Sequence, residues 1–285
     1  MLPFRNILFP VDYSEPCLAV VPYVQEMLRH YSAGLTLVHA YAPEFARWEL
    51  ALADPEFPEK VRVTEQQHLK EFAATTFPGQ HVESIAELGE PGGIIDKVVQ
   101  HQGTDLVMLA THGRGPLRRF LVGSVAAKVL HDVDTAVWTG DGSAFVGHVP
   151  RLPYKSILCA VDDTEEARVI LKAAAAFASG HQASLSIIRI VEIPAATREI
   201  DFSPYKEEIL SAADFKLREL KGEFGIDAPH AVIDAQIPEG IRQEAARTNA
   251  DLIVTGRGHS QALFSTMWSR LYTIVRHSPC PVLSI

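Results

Sequence analysis

A glycine-rich, basic stretch is the part of the sequence whose residue types could bind a charged ligand. After an apolar run that ends at Ala110, the chain contains Gly113, Arg114 and then Gly123 and Ser124. Glycines let a backbone approach a ligand closely, and a helix that begins at Ser124 would offer unpaired N–H groups and the positive end of its dipole. These features predict an anion site, and a phosphate site in particular. Because glycines of this spacing also occur in ordinary turns, the pattern alone leaves both interpretations open.

Three further polar residues follow apolar runs and could contact the same ligand. Asp12 comes directly after the first run, where a carboxylate can accept hydrogen bonds from a ribose or a base. An aspartate in that place is equally typical of a helix N-cap. His39 and His112 stand near the ends of two later runs, and each could be either a ligand contact or a structural histidine.

The common catalytic motifs are missing from the sequence. It contains neither GxxxxGK followed by Ser or Thr nor GxGxxG, and no GxSxG, HExxH or Cys–His cluster. These motifs are typical of phosphate-cleaving, dinucleotide-binding, serine-hydrolase and zinc sites, respectively. We therefore expect neither efficient nucleotide hydrolysis nor a metal site, and we assign no catalytic residue.

An internal repeat determines where the candidate residues lie. Residues 6–12 (NILFPVD) match residues 156–162 (SILCAVD), and residues 105–113 (DLVMLATHG) match residues 251–258 (DLIVTGRG) with a gap of one residue. A chain of 285 residues has room for about two domains. The repeat predicts two copies of one domain, at residues 1–142 and 154–285, joined by a linker at residues 143–153.

Short β-rich runs alternate with longer helical patterns in both halves. This alternation predicts βαβ units and, in each half, a doubly wound α/β domain with a parallel sheet of five strands. In such sheets, ligands bind beyond the carboxyl ends of the strands. The helices are predicted at residues 16–31, 58–76, 92–103 and 124–131, and at residues 165–179, 203–221, 240–248 and 269–277.

Composition and charge exclude several classes of protein. The chain has 26 Lys and Arg against 35 Asp and Glu, and this net charge of −9 disfavours binding to nucleic acid. No apolar stretch approaches the ~20 residues that span a bilayer, and the first residues do not resemble a cleavable leader. Three cysteines without CxxC spacing suit a reducing compartment. We expect a cytoplasmic protein that binds neither nucleic acid nor membrane.

Several segments, taken in order, resemble the universal stress protein family. They are ILFPVD at residues 7–12, LVHAY at residues 37–41, and Gly113 followed after nine residues by Gly123 and Ser124. The resemblance covers nearly the whole chain twice, so it implies a tandem member with two sheets of the Rossmann-like, adenine nucleotide alpha hydrolase type. The family's ATP-binding signature is Gly, two residues, Gly, nine residues, Gly, and Ser or Thr. Ala110 stands in place of the first glycine.

The resemblance also implies a role for each candidate residue. The adenine and ribose would lie against Pro10, Asp12 and Ala40. The ribose and phosphates would be wrapped by Ala110, Gly113 and Arg114. The phosphate oxygens would be held by the N–H groups of Gly123, Ser124 and Val125. The implied ligand is ATP, or else ADP or AMP, and Mg²⁺ is its candidate companion.

The second half departs from the signature. Aligned with the first half, it has Thr255 and Gly258 and then, after nine residues, Trp268 and Ser269 where the first half has Gly123 and Ser124. Ala160 replaces the early proline, whereas Asp162 is kept. A tryptophan at the point of closest backbone approach should block a phosphate or fill the pocket. We expect the second half to be a structural domain without nucleotide.

The favoured function is a regulatory module in which bound ATP changes a surface that partners recognise during stress. The alternatives are a slow ATPase, an adenylyl-transferring protein, a flavin-binding electron carrier, or a scaffold that binds no nucleotide. In relatives, the last strand of the domain pairs across a dimer. The apolar last strands of the two halves therefore predict either a pseudo-twofold pair within the chain or a homodimer.

Overall fold

A computed structural model of the chain describes residues 2–42, 54, 56–112, 122–141, 150–194, 203–257 and 264–285, with backbone only at residues 203 and 264–270. The chain divides into two compact units, which are essentially Pro3–Pro150 and Arg151–Ile285. The predicted linker at residues 143–153 lies mostly outside the described residues, so the proposed domain boundaries stay a prediction.

The first unit alternates strands and helices along the chain. Its described elements are β1 (Asn6–Pro10), α1 (Glu15–Tyr31), β2 (Gly34–Tyr41), α2 (Phe57–Thr76), β3 (Val82–Leu88), α3 (Pro91–Gln102), β4 (Leu106–Ala110), α4 (Ser124–Asp132) and β5 (Ala136–Gly140). All strand pairs are parallel, in the order β3-β2-β1-β4-β5. The direction of winding therefore reverses between β1 and β4, which is the place where such sheets bind ligands.

The second unit repeats this plan. Its described elements are β6 (Ser156–Val161), α5 (Glu166–His181), β7 (Ser184–Val191), a short 3-10 turn (Ser203–Tyr205), α6 (Lys206–Glu223), β8 (His230–Asp234), α7 (Ile237–Arg247), β9 (Leu252–Thr255), α8 (Phe264–His277) and β10 (Val282–Ser284). The order β10-β9-β6-β7-β8 is again all parallel. The prediction of an α/β fold with a five-stranded parallel sheet in each half is confirmed.

Three helix starts in the second unit differ from the predicted ones by three residues or more. Helix α8 begins at Phe264, five residues before the predicted start at Ser269. Residues 264–268 contain neither Gly nor Pro, so nothing in the local sequence stops the helix there. Helix α7 begins at Ile237 rather than at residue 240. Its second residue is Pro238, and a proline is favourable in the first turn of a helix. The segment predicted as helix from residue 203 begins with a 3-10 turn, and α6 itself starts at Lys206.

One aspartate in each unit fixes the starting end of the central strand. The Asp105 carboxylate accepts hydrogen bonds from the N–H groups of Arg5 (2.7 Å) and Asn6 (3.1 Å). Asp251 accepts the same pair of bonds at the start of β6, from the backbone N–H groups of residues 155 (2.8 Å) and 156 (3.1 Å). Each unit thus ties its two switch-point strands together at the end opposite to the candidate site.

The three cysteines are buried in the cores of the units. Burial raises the pKa of Cys17, Cys159 and Cys280 from 9.0 to about 12. At pH 8 only about one thiol in 10⁴ is then ionised, and the thiolate is the reactive form. We expect Ellman's reagent to modify no cysteine of the folded protein at pH 8 and all three in denaturant. A thiol that reacts quickly in the folded protein would contradict the described packing.

The raised pKa values of the three thiols make the free energy of unfolding depend on pH. A thiol whose pKa is higher in the folded than in the unfolded protein favours folding only while it stays protonated in both states. The contribution of each thiol to folding stability is fully present below pH 9 and is lost as the pH rises from about 9 towards about 12.

Among the described helices, none is long and apolar enough to cross a membrane.

Candidate functional site

The candidate site of the first unit lies at the carboxyl edge of its sheet. Pro10 ends β1 and Ala110 ends β4, and these two strands are hydrogen-bonded neighbours that run in the same direction. Ala40 lies one residue before the end of β2, on the other side of β1. All three side chains are half-buried. The structure therefore brings these three predicted residues to one edge of the sheet.

Asp12 follows β1 and takes part in the turn into α1. Its Oδ1 atom accepts hydrogen bonds from the Ser14 backbone N–H (2.9 Å) and the Ser14 hydroxyl (2.6 Å). The N-cap of α1 is Ser14 itself, whose hydroxyl oxygen accepts a hydrogen bond from the Cys17 N–H (3.3 Å). Asp12 thus supports the cap and is not the cap. The Oδ2 atom of Asp12 receives neither of these two bonds from Ser14.

Helix α4 begins where the phosphates are predicted to bind. Gly123 is its N-cap, and Ser124 and Val125 are its first two residues. The N–H groups of a helix's first residues have no partner within the helix, and no side chain caps this one. The Gly123 carbonyl oxygen accepts the Ala127 N–H (2.9 Å), which is the first bond of the helix. The start of α4 therefore offers the N–H groups of Ser124 and Val125 to an anion.

Gly123 itself is engaged with the end of β4. Its N–H donates to the Thr111 carbonyl oxygen at 2.6 Å, so a phosphate would have to replace this bond to reach that N–H. A Cβ atom at position 123 would lie 3.2 Å from the same carbonyl oxygen. The φ angle of −58° is one that any residue adopts. Close approach, and not backbone conformation, is thus what requires a glycine here.

Two of the predicted residues cannot be placed. Gly113 and Arg114 lie outside the described residues. Their roles in wrapping the ribose and phosphates stay predictions.

Residues at the ends of β4 and β5 add polar groups that sequence reasoning only partly found. The Thr111 hydroxyl lies 2.9 Å from the His112 Nδ1 atom and 3.3 Å from the Gly140 carbonyl oxygen. The same His112 nitrogen lies 3.5 Å from an Asp141 carboxylate oxygen. Asp141 comes directly after β5, so the rule that points to strand ends would have found it. His112 is thereby held by its neighbours in the first unit.

An aromatic cluster stands next to Asp12 at the ends of β1 and β2. The His39 Nδ1 atom lies 2.7 Å from the Val11 carbonyl oxygen, which can only accept, so this nitrogen carries a hydrogen. The ring of Tyr13 packs on the His39 ring with centroids 4.8 Å apart. Tyr13 has φ = +59°, which is uncommon for a residue with a side chain. No sequence pattern indicated this contact, because it depends on how the chain turns after Asp12.

Comparison with known proteins decides the family. A family model described as the universal stress protein family matches residues 3–139 and again residues 153–285. The chain belongs to the universal stress protein family. The double match confirms the prediction of a tandem member.

Individual relatives agree with this assignment. A protein of Staphylococcus haemolyticus that is named for the universal stress protein family is 31% identical over 134 residues, which are 46% of this chain and 80% of that protein. The crystal structure of a universal stress protein from Archaeoglobus fulgidus gives a TM-score of 0.67 at 19% identity, over 98% of this chain and 95% of the other. A functionally unknown protein from Pseudomonas aeruginosa gives 0.66 at 16% identity, over 99% and 92%. At these identities, the two structures show the fold alone.

The second universal stress protein unit has a different residue alignment from the one predicted. Ile7 pairs with Leu106 in the first unit, and Ile157 pairs with Leu252 in the second. Counting along the strands from these pairs places Gly256 at the position of Ala110. The predicted assignment of Thr255 to that position was wrong by one residue, because a gap in a short match can be placed on either side of a strand end.

The start of α8 also differs from the start of α4. Trp268 and Ser269 are the fifth and sixth residues of α8, whereas Gly123 and Ser124 stand at the very start of α4. In an α-helix each N–H from the fifth residue onward donates to the carbonyl four residues earlier. The N–H groups of Trp268 and Ser269 are therefore used inside the helix. The side chain of Trp268 lies outside the described part of the structure.

The second unit also differs from the first at the position that corresponds to Ala40. Pro10 pairs with Val38, and Ala160 pairs with Ile188 in the corresponding place. Val38 and Ile188 therefore correspond to each other. Two residues further along, Ile190 in β7 stands where the first unit has Ala40 in β2. The family resemblance gave Ala40 to the adenine pocket, so the second unit has a much larger side chain at that point.

Proposed function

We propose that the first unit binds an adenine nucleotide, with ATP as the favoured ligand, at the carboxyl ends of β1 and β4. The observation that carries this proposal is the start of α4. The N–H groups of Ser124 and Val125 lack partners within the helix and lie next to the strand ends where the sheet reverses its winding. A helix start in this place favours negative charge through both hydrogen bonds and the helix dipole.

The opposite side of the edge supports recognition of the ribose and base. Both hydrogen bonds from Ser14 go to the Oδ1 atom of Asp12, and the Oδ2 atom of a carboxylate can accept ribose hydroxyls. Ala40 is small and half-buried, which leaves room beside β2 for a flat base. Family membership adds support, since the signature that ends at Gly123 and Ser124 is the one that the resemblance linked to ATP.

Any Mg²⁺ would bind mainly through the nucleotide. Among the described residues, no group of three or more His, Cys, Asp or Glu side chains is placed to hold a metal ion. Mg²⁺ prefers oxygen ligands and is commonly held by substrate phosphates together with one or two carboxylates. Asp12 is a carboxylate at this edge that fits such a role. The phosphate oxygens of the nucleotide would be the other ligands of the ion.

We further propose that the bound nucleotide regulates a surface that partners recognise, without efficient turnover. The sequence offers no P-loop lysine to stabilise a transferred phosphate. The alternative of a slow ATPase is tested by measuring phosphate release from ATP over several hours. A homodimer and a cytoplasmic location remain parts of the proposal that rest on the sequence.

Binding is tested by the melting temperature and by the ligand that the protein retains. ATP at about 100 times its dissociation constant should stabilise the folded unit by about 2.7 kcal/mol, which raises the melting temperature by roughly 5–10 °C. Protein purified without added nucleotide should release ATP, ADP or AMP when denatured, as identified by mass spectrometry. A released flavin, or a melting temperature that ATP leaves unchanged, would contradict the proposal.

A further inference from the structure

The second unit has a cavity at the place that corresponds to the candidate nucleotide site. Its volume is about 110 Å³. The end of β6 contributes Ala160 and Asp162, and the end of β9 contributes Thr255, Gly256 and Arg257. The cavity thus lies at the switch point between β6 and β9, where a doubly wound sheet binds its ligand.

The lining of this cavity is mainly aliphatic. Branched aliphatic side chains from α5, β7, α7 and α8 line it, and one of those from α8 is Leu271. The isoleucines among them are Ile170, Ile188, Ile190, Ile237, Ile241 and Ile274. The aliphatic part of the wall favours an apolar molecule over water, because water against it would lose hydrogen bonds.

The shape of the floor is unsuited to a nucleotide. A Cβ atom on Gly256 would lie 2.5 Å from the Ile170 Cδ1 atom, so that methyl group packs directly on the backbone at the end of β9. In the first unit, the residue that corresponds to Ile170 is Val20, which has a shorter side chain. Ile190 likewise replaces Ala40. The second unit has therefore filled with methyl groups the space where the first unit would hold an adenosine.

The charges around the cavity also disfavour a polyphosphate. Beside Asp162, which corresponds to Asp12, Glu166 adds a second carboxylate where the first unit has Pro16, and the lining holds one guanidinium, from Arg257. Like charges at short range repel, more strongly so where the surroundings are apolar. The N–H groups that would compensate, at Trp268 and Ser269, are used inside α8.

We propose that the second unit binds a small uncharged aliphatic molecule in this cavity. An apolar cavity of about 150 Å³ admits benzene, so a cavity of about 110 Å³ fits a molecule of about five heavy atoms. Burial of its methylene groups drives the binding. A hydroxyl or similar polar end can face the Thr255 and Arg257 side of the wall. This proposal is independent of nucleotide binding by the first unit.

The test is a titration of the full chain with 1-butanol, followed by NMR of isoleucine methyl groups labelled with ¹³C. We expect saturable shifts with a millimolar midpoint at the lining isoleucines. The methyl groups of Ile94 and Ile95 in α3 of the first unit serve as the internal control and should not move. Shifts that never saturate, or that are equal in both units, would overturn the proposal. So would ATP that shifts the methyl groups of the second unit.

Two variants sharpen the result. Ala160→Leu adds three carbon atoms to the wall and should abolish the saturable shifts, whereas Val169→Leu, on the exposed side of α5, should leave them unchanged. Retained shifts in Ala160→Leu would contradict the assignment. Should that variant fail to fold, Ile241→Val enlarges the cavity by one methyl group. It should then take up 1-pentanol as well, and its failure to do so would count against the proposal.

Discussion

The Gly123→Trp protein should lose the rise in melting temperature that ATP causes in the unsubstituted chain, a rise of roughly 5–10 °C. The substitution copies the second unit, where Trp268 occupies the aligned position. Even a Cβ atom at position 123 would lie 3.2 Å from the Thr111 carbonyl oxygen, so an indole must push the start of α4 away from β4. The N–H groups of Ser124 and Val125 would then no longer lie where we propose that a phosphate binds beside the strand ends.

Controls separate the loss of the site from the loss of the fold. Val63→Trp adds the same side chain at an exposed position of α2 and should keep the ATP-dependent rise. Gly123→Trp should unfold cooperatively, with a stability cost of about 1–3 kcal/mol from overpacking. Calorimetry that shows unchanged ATP binding by Gly123→Trp would contradict the placement of the phosphates.

The reciprocal change should not create a second site. In Trp268→Gly, the backbone at residue 268 still lies inside α8, which begins at Phe264. Ile190 also still stands where the first unit has Ala40. We therefore expect Trp268→Gly to bind no additional ATP.

Asp12→Ala should weaken ATP binding by about 10–100-fold, which corresponds to roughly 1.4–2.8 kcal/mol. The expected loss comes from hydrogen bonds between the carboxylate and the ribose or base. Because Asp12 also accepts two bonds from Ser14, the substitution should cost about 1 kcal/mol of folding stability as well. Calorimetric titration gives the first quantity, and denaturant unfolding gives the second.

The repeat provides a matched control for this substitution. Asp162 accepts hydrogen bonds from the N–H (2.9 Å) and the hydroxyl (2.6 Å) of Thr164, in the same arrangement and at the same distances as Asp12 with Ser14. Asp162→Ala should therefore lower stability by a similar or smaller amount, since Asp162 is more exposed, and should leave ATP affinity unchanged. Equal losses of affinity in the two variants would show that the aspartates act only through the turn.

The architecture could be predicted from the sequence because two signals agree in it. Apolar runs of strand length alternate with helical patterns, and the same series of strands and helices occurs twice. The bounds of β3 (Val82–Leu88) and the start of α4 at Ser124 follow from local residue types. The start of α8 did not, because alignment with Ser124 suggested a helix start that the residues before Ser269 do not enforce.

The details of the site depend on contacts between distant parts of the chain, and sequence patterns do not contain them. The hydrogen bond from Gly123 to Thr111 joins the start of α4 to the end of β4. The packing of Tyr13 on His39 depends on a positive φ angle after Asp12. Strand pairing, and not a sequence pattern, shows that the large side chain of Ile190 stands where the first unit has Ala40.

The inequality of the two units is tested most directly by the number of ATP molecules that one full-length chain binds. Titration calorimetry on nucleotide-free protein should give one ATP per chain, with the site lost in Gly123→Trp and kept in Ala160→Leu. Two ATP molecules per chain with similar affinity, or a single site that survives in Gly123→Trp, would contradict the assignment of nucleotide binding to the first unit alone.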